Sequence, residues 1–295
     1  MKKVIILGGT GMVGHALVGG LSARFHIIPI VRDLARSAVL TKRFPNIMGD
    51  SVIVFDVKDF MDSYYRSRDF QFEFKDFFQT LVESDYVINA IGITPPLAQA
   101  DRQLTLFVNG VLPHLFSGIL REKFIHISTD CVFDGLEGHP YTEISHHHPV
   151  DYYGFTKSVG EPHQSFTIRT SFIGREIDSS RGLLEWFLRQ EGKRIEGYQN
   201  CIWNGVTTHE FARVCTNIVE HLDMLTPLRT LHIFSSPISK FDMLKAFQKK
   251  FNIDCEIIEN TAIKRNRTLS SIHSESTQLH IPSFYEMLEM MPNDL

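Results

Sequence analysis

Short apolar runs alternate along this chain with helix-length stretches whose apolar positions recur every three or four residues. Val4 to Leu7 is a continuous apolar run, the pattern of a strand buried on both faces of a parallel sheet. Comparable runs predict strands over His26 to Val31, Ser51 to Phe55, Asp85 to Ile91, Lys123 to Ile127, Ser165 to Ser171 and Leu231 to Phe234. Between them the pattern predicts helices from near Gly11 to Leu21, Asp59 to Leu81, Thr105 to Leu120, Gly182 to Gln190, His209 to His221, Lys240 to Phe251 and Pro282 to Met290. Thr208 reads as the N-cap of the fifth of these, with Glu210 in its first turn. The Phe and Tyr residues between Asp59 and Leu81 read as core. The sum is an α/β protein with a doubly wound parallel sheet.

The first strand runs straight into Gly8-Gly9-Thr10-Gly11-Met12-Val13-Gly14. Gly8 permits a sharp turn, Gly11 lets the backbone approach a diphosphate, and Gly14 allows close packing of helix on strand. The N–H groups of Met12 and Val13 then lie in a helix start whose positive dipole end attracts phosphate. Composition leaves that reading undisturbed. The chain has 295 residues, 43% hydrophobic and 22% charged, enough to bury a full core. A net charge of -4 gives no reason to expect a nucleic-acid partner. No run of 18 apolar residues suggests a membrane span. Glycines interrupt the segment after Lys2-Lys3 that would otherwise suggest a secretory signal. Four separated cysteines without a C-x-x-C imply a reducing, cytoplasmic setting and no disulfide framework. The run His146-His147-His148 reads as a solvated loop, and no metal site is predicted.

Cofactor preference is decided at the end of the second strand, where an acid binds a ribose 2'-hydroxyl and an Arg accommodates a 2'-phosphate. Arg32 comes first there, with Asp33 beside it, so NADP(H) is favoured over NAD(H). Asp56 and Val57 close the third strand near the adenine edge. Ala90, Ile91 and Gly92 follow the fourth, where the chain would skirt the nicotinamide ribose. The fifth strand ends in Ser128-Thr129-Asp130; such hydroxyls either cap a turn or face a ligand. Tyr153 and Lys157 then stand four residues apart on one helix face. A neighbouring ammonium makes a phenol of ordinary pKa about 10 a usable proton donor to a carbonyl under reduction. Tyr152 has Thr156 as its fourth neighbour and is excluded. Farther on, Arg265 and Arg267 either meet an anionic diphosphate or form a solvated loop.

These residues resemble the extended short-chain dehydrogenase/reductases and, within them, the dTDP-4-dehydrorhamnose reductase family. The match rests on the glycine turn, Asn89-Ala90, Val108-Asn109, Ser128-Thr129-Asp130-x-Val132-Phe133-Asp134-Gly135, Tyr141-Thr142-Glu143, Tyr153-Gly154-x-Thr156-Lys157-x-x-Gly160-Glu161 and Arg169-Thr170-Ser171. The resemblance implies a Rossmann-type domain over 1–172, with a contribution from about 205–234, and a smaller C-terminal substrate-binding lobe over 173–295. It implies Tyr153 as proton donor, Lys157 as its partner and a ribose ligand, Thr129 as hydrogen-bond donor to the substrate carbonyl, and Asn109 near a proton relay. The implied reaction is NAD(P)H-dependent reduction of the 4-keto group of a nucleotide-linked 4-keto-6-deoxy sugar, in a cytoplasmic and often homodimeric enzyme. Departures fall toward the substrate: Cys131 replaces an aromatic, Phe172 replaces a Trp, and Trp203-Asn204-Gly205 replaces the usual motif before the next helix. Asp130, Phe172, Trp203, Asn204 and Arg267 are therefore the expected substrate contacts, with Trp203 as a ring-stacking surface. A nucleotide-sugar epimerase and a non-catalytic NADP-binding regulatory subunit are the alternatives on the same fold. A dehydratase is disfavoured because no Glu follows Asp130.

Overall fold

A computed structural model describes residues 1–45, 52–95, 97–177 and 180–292. Its centre is a seven-stranded parallel sheet. The strands are β1 (Lys3–Leu7), β2 (His26–Val31), β3 (Ile53–Val54), β4 (Tyr86–Asn89), β5 (Phe124–Thr129), β6 (Phe166–Thr170) and a last strand Thr230–His232. Across the sheet the order is Thr230–His232, β6, β5, β4, β1, β2, β3. The chain therefore reverses direction of growth between β1 and β4, the place where open α/β sheets bind ligands. Continuous apolar strands are what such a sheet requires, since helices cover both faces. One face packs on Leu17, Val18 and Leu21 of α1 (Met12–Leu21) and on Phe211, Val214 and Ile218 of the helix Thr208–Glu220. The other face packs on a phenylalanine cluster in which Phe55, Phe60, Phe77 and Phe116 meet. Of the aromatics after Asp59, Phe60, Phe77 and Phe78 are core and Tyr64, Phe70 and Phe74 pack half-buried against them, but Tyr65 and Phe72 are exposed, which corrects the expectation for those two.

Several boundaries differ from expectation, each for a local reason. The third strand is shorter than expected, and Ser51 lies outside the described residues. The expected helix over 59–81 is three helices, Val57–Arg66, Phe70–Glu73 and Lys75–Val82. It breaks first where the Ser67 hydroxyl accepts the Asp69 N–H, a side-chain turn that competes with helix. The N-cap expected at Thr208 is Thr207, whose hydroxyl accepts the Glu210 N–H. The helix expected over 105–120 begins at Arg102 and contains a π turn at Phe107–Val111. Pro113 has no N–H to give the Asn109 carbonyl four residues back, and its ring would crowd it, so the helix widens there. By length and composition alone the span Arg102–Lys123 could cross a membrane, and 56% of its apolar window is buried inside the molecule.

The smaller lobe is built after β6. The strands Arg194–Tyr198 and Glu256–Asn260 pair in parallel, and Cys201–Trp203 pairs with Ile238–Ser239 and Arg265–Asn266. Its core gathers Phe187, Trp203, Phe247 and Phe284. The helix Thr208–Glu220 and the strand Thr230–His232 return to the sheet domain, against α1 and β6 respectively.

Candidate functional site

Gly8 adopts φ +82°, open to glycine at little cost, and Gly11 caps the N-terminus of α1 in extended conformation. A Cβ on Gly14 would lie 2.0 Å from the Gly8 carbonyl oxygen, so only glycine allows this strand-turn-helix to close. The turn borders a cavity of about 490 Å³ that also meets Arg32, Asp56 and Val57. Ala90, Ile91 and Gly92 form the wall it shares with a second cavity of about 370 Å³. Met12, Val13, Thr129, Tyr153, Lys157 and Phe172 line that second cavity. One continuous cleft thus runs over the carboxyl ends of the strands. A cleft of about 570 Å³ behind α1, toward Thr208, meets neither the glycine turn nor Tyr153.

At the outer end, Asp33 is not turned to the cleft. Its carboxylate caps the following helix by accepting the Arg36 N–H and pairs with Arg32 at 3.2 Å. Arg36, Lys58 and Arg181 join Arg32 around the cavity, and Asp56, which caps its own helix through the Lys58 N–H, is the acidic residue among the described lining. Sequence reasoning missed these three cations. Arg36 lies in the first turn of the helix Leu34–Arg43, four residues after Arg32, and was within reach of pattern analysis; Arg181 lies far along the chain and was not.

At the inner end, Tyr152–Val159 is capped by Asp151, whose carboxylate accepts the Gly154 N–H. Gly154 packs so closely on the turn Asp130–Val132 after β5 that a Cβ would lie 2.2 Å from the Cys131 carbonyl oxygen. Tyr153 and Thr129 line the same cavity, and the Thr129 hydroxyl donates to the Asp130 carboxylate at 3.1 Å and accepts the Cys131 N–H. Burial, then the neighbouring Cys131 and Asp130, push the phenol's pKa far up, so Tyr153 is firmly protonated. Lys157 is 4% exposed; burial lowers its pKa to about 8, against the opposing pull of Glu161. Its Nζ donates to the Ile127 carbonyl at 2.7 Å. Glu161 is held ionised by Arg169 despite burial.

Asn109, expected near the relay, has its amide committed elsewhere. Oδ1 accepts the Ile93 N–H, and Nδ2 donates to the Ile93 carbonyl and to Thr156. It positions the loop after β4 rather than touching Tyr153 or Lys157.

The expected substrate contacts separate into two groups. Thr129 and Phe172 line the inner cleft, whereas Asp130 and Arg267 lie behind that wall, against Thr129 and Cys131 respectively, and do not line it. Phe172 lies edge-on to Phe211 while lining the cavity. Arg267 Nη1 donates to Cys131 Sγ at 3.1 Å, and its buried Nε has no protein partner. Burial raises the Asp130 pKa against the attraction of Arg267. Trp203 and Asn204 do not face the cleft. Trp203 is 4% exposed, edge-on to Phe284 in the lobe core, which corrects the expectation of a stacking surface. Asn204 ties two segments together, donating to the Leu269 carbonyl and accepting the Leu269 N–H.

Two family models match this chain. The NAD dependent epimerase/dehydratase family matches residues 4–164, and the RmlD substrate binding domain matches 119–277. The chain belongs to this family. Its RmlD match places it beside the dTDP-4-dehydrorhamnose reductases among the extended short-chain dehydrogenase/reductases. A dTDP-4-dehydrorhamnose reductase of Burkholderia thailandensis is 28% identical over 166 residues, 54% of this chain and 44% of the relative. A dTDP-4-keto-6-deoxy-D-glucose reductase of Streptomyces niveus is 33% identical over 86 residues, 26% of this chain and 30% of the relative. The matches thus span less than half the length of either relative. Among solved structures, a dTDP-4-dehydrorhamnose reductase from Bacillus anthracis in complex with NADP superposes with a TM-score of 0.71 at 19% identity, covering 99% of both chains. One from Clostridium acetobutylicum gives 0.70 at 19% identity, covering 98% of both. These likenesses establish the fold shared with the family.

Proposed function

We propose that this chain reduces the 4-keto group of a nucleotide-linked 4-keto-6-deoxy sugar, with NADPH as the reductant and dTDP as the nucleotide. The observation that carries the reading is the convergence of Thr129, Tyr153 and Lys157 on a cleft continuous with the glycine turn. The turn fits a dinucleotide: it presents the first N–H groups of α1, admits no side chain, and lacks acidic residues in the helix's first turn. When bound, the reduced nicotinamide supplies a hydride. Every other element of the reaction falls to side chains of the protein.

Thr129 donates a hydrogen bond to the substrate carbonyl oxygen and holds it against the Tyr153 phenol. As the carbonyl carbon is reduced, the oxygen gains charge and takes the Tyr153 proton, giving an alcohol. Burial keeps that proton on the phenol until an oxygen of higher basicity arrives. Lys157 orients the ribose. Arg32 and Arg36, with Lys58 and Arg181 beside them, supply charge-assisted donors to a 2'-phosphate, and Asp33 is withdrawn into its cap. This favours NADPH over NADH. The curated relatives are named as reductases of this sugar class, which supports the substrate proposed.

Incubation with NADPH deuterated at the nicotinamide C4 and a freshly generated dTDP-4-keto-6-deoxy sugar tests the proposal. Deuterium at C4 of a product alcohol is expected. An unlabelled sugar product would point to epimerase chemistry, and tight NADPH binding without turnover of any keto sugar to a regulatory subunit; either overturns the reading.

A further inference from the structure

The cleft of about 570 Å³ behind α1 is separate from the site described above and is lined differently. One wall is a strip of α1 without bulk, Ala16, Gly19, Gly20 and Ala23, flanked by Phe44 and Met290. Two polar side chains line it although both are more than nine-tenths buried, His15 at 6% exposed and Thr208 at 4%. His15 Nδ1 lies 2.9 Å from the Gly11 carbonyl, which can only accept, so Nδ1 carries the proton. Burial, the largest influence on the ring, lowers its affinity for a second proton, and Nε2 is left as a lone pair. Among the described residues neither Nε2 nor the Thr208 hydroxyl has a protein partner. Charge at the cleft is of one sign. Arg24, Arg43, Arg175 and Arg213 border it, against Glu210 as the one carboxylate of its described lining. Glu210 is already gripped by Arg213 through Nε and Nη2. Arg175 pairs with Glu185 at 2.7 Å, whereas Arg43 lies over the Phe44 ring with no carboxylate beside it among the described residues. Thr208 also opens the helix Thr208–Glu220, whose positive dipole end favours an anion.

We propose that this cleft is a second ligand site that takes a small organic phosphate, its phosphate held by Thr208, His15 and Arg43 and its apolar body laid on the glycine and alanine strip. The volume lies within the range of about 300–1,000 Å³ of small-molecule sites. The choice of phosphate comes from His15. A lone pair at Nε2 needs a donor, and a phosphate monoester, with its second ionisation near a pKa of about 6, brings one as P–OH. A sulfate ester is fully ionised and brings none. The Thr208 hydroxyl donates to a second phosphate oxygen, and the Arg43 guanidinium supplies charge-assisted donors. Inorganic phosphate would meet the same polar groups and leave the strip uncovered. The site stands back to back with the glycine turn, because His15 donates to the carbonyl of Gly11, the N-cap of α1.

The test uses the full chain with excess NADPH, which keeps the probe out of the reductase cleft, and needs no keto sugar, so it can fail while the reductase reading stands. Phenyl phosphate is titrated by calorimetry near pH 7, beside phenyl sulfate, phenol and inorganic phosphate. The expected result is one-to-one binding of phenyl phosphate, about tenfold or more tighter than any of the other three. His15→Asn keeps a donor for the Gly11 carbonyl and removes Nε2, and Thr208→Val removes the hydroxyl at nearly constant shape. Each is expected to weaken phenyl phosphate about tenfold or more. Phenyl sulfate or phenol binding as tightly as phenyl phosphate, an unmoved affinity in either variant, or no binding once NADPH is present would each overturn the proposal. Should His15→Asn not fold, Thr208→Val and the four wild-type titrations decide.

Discussion

Asn109 holds Ile93 by both backbone groups, accepting its N–H and donating to its carbonyl, each at 2.9 Å. The loop after β4, which separates the two halves of the cleft, is therefore pinned by a side chain from a π turn.

Replacing Asn109 with Ala leaves the Ile93 N–H and carbonyl without that partner. Stranding a fully buried polar group costs about 1–3 kcal/mol, an upper bound for these partly buried ones. The expected outcome is a lower denaturation midpoint with a raised KM for NADPH and a smaller change in kcat, because the wall moves and Tyr153 does not. Chemical denaturation and steady-state kinetics on the same preparation measure both.

Arg32 and Arg36 offer charge-assisted donors at the outer end of the cleft. A hydrogen bond to a charged group contributes about 1.5–3 kcal/mol, a factor of roughly ten to a hundred in affinity. Arg32→Ala is therefore expected to weaken NADPH binding by that factor and to leave NADH almost unchanged. Fluorescence titration with the two nucleotides checks it, and equal losses for both would contradict the assigned 2'-phosphate contact.

Glu161 and Arg169 are an ion pair at 2.7 Å with side chains 10% and 7% exposed, and Glu161 also accepts the Ser128 hydroxyl. Removing one partner strands a buried charge, so Arg169→Met should cost about 3–5 kcal/mol. The Glu161 pKa is lowered in the fold. Its stabilising contribution is present above the unfolded value and is lost as pH falls through the folded one. The difference in stability between wild type and variant should shrink on acidification.

Much of this site was legible in the chain because its motifs are local. The glycine turn follows directly on β1, and Tyr153 and Lys157 are one helical turn apart. Local spacing also distinguished Tyr153 from Tyr152. What could not be read depended on partners far along the chain. Trp203 and Asn204 looked like ligand contacts until Phe284 and Leu269 covered them. Arg181 reaches the cofactor end from far along the chain, and His126 looks like one more strand residue until Asn89 and Lys157 flank it. Adjacent Thr207 and Thr208 are equivalent as caps by residue type, and only the backbone decides between them.

The lowered Lys157 pKa has a signature in stability. Its unfolded value is about 10.4, while burial holds the folded value at about 8. Between these the unfolded chain binds the extra proton, so this group makes stability rise with pH across that window, by at most about 1.4 kcal/mol per pH unit. Lys157→Met should remove that slope. Denaturant midpoints of wild type and variant from pH 7 to 10 isolate the difference from the cysteines, whose raised values act in the opposite sense.

The most direct measurement is the rate of NADPH oxidation with a dTDP-4-keto-6-deoxy sugar for wild type and Tyr153→Phe, with NADPH affinity measured on both. The phenol as proton donor predicts a loss of about 10²- to 10⁴-fold in kcat for the variant with nucleotide affinity retained. A variant that turns over like wild type would show that the proton comes from elsewhere.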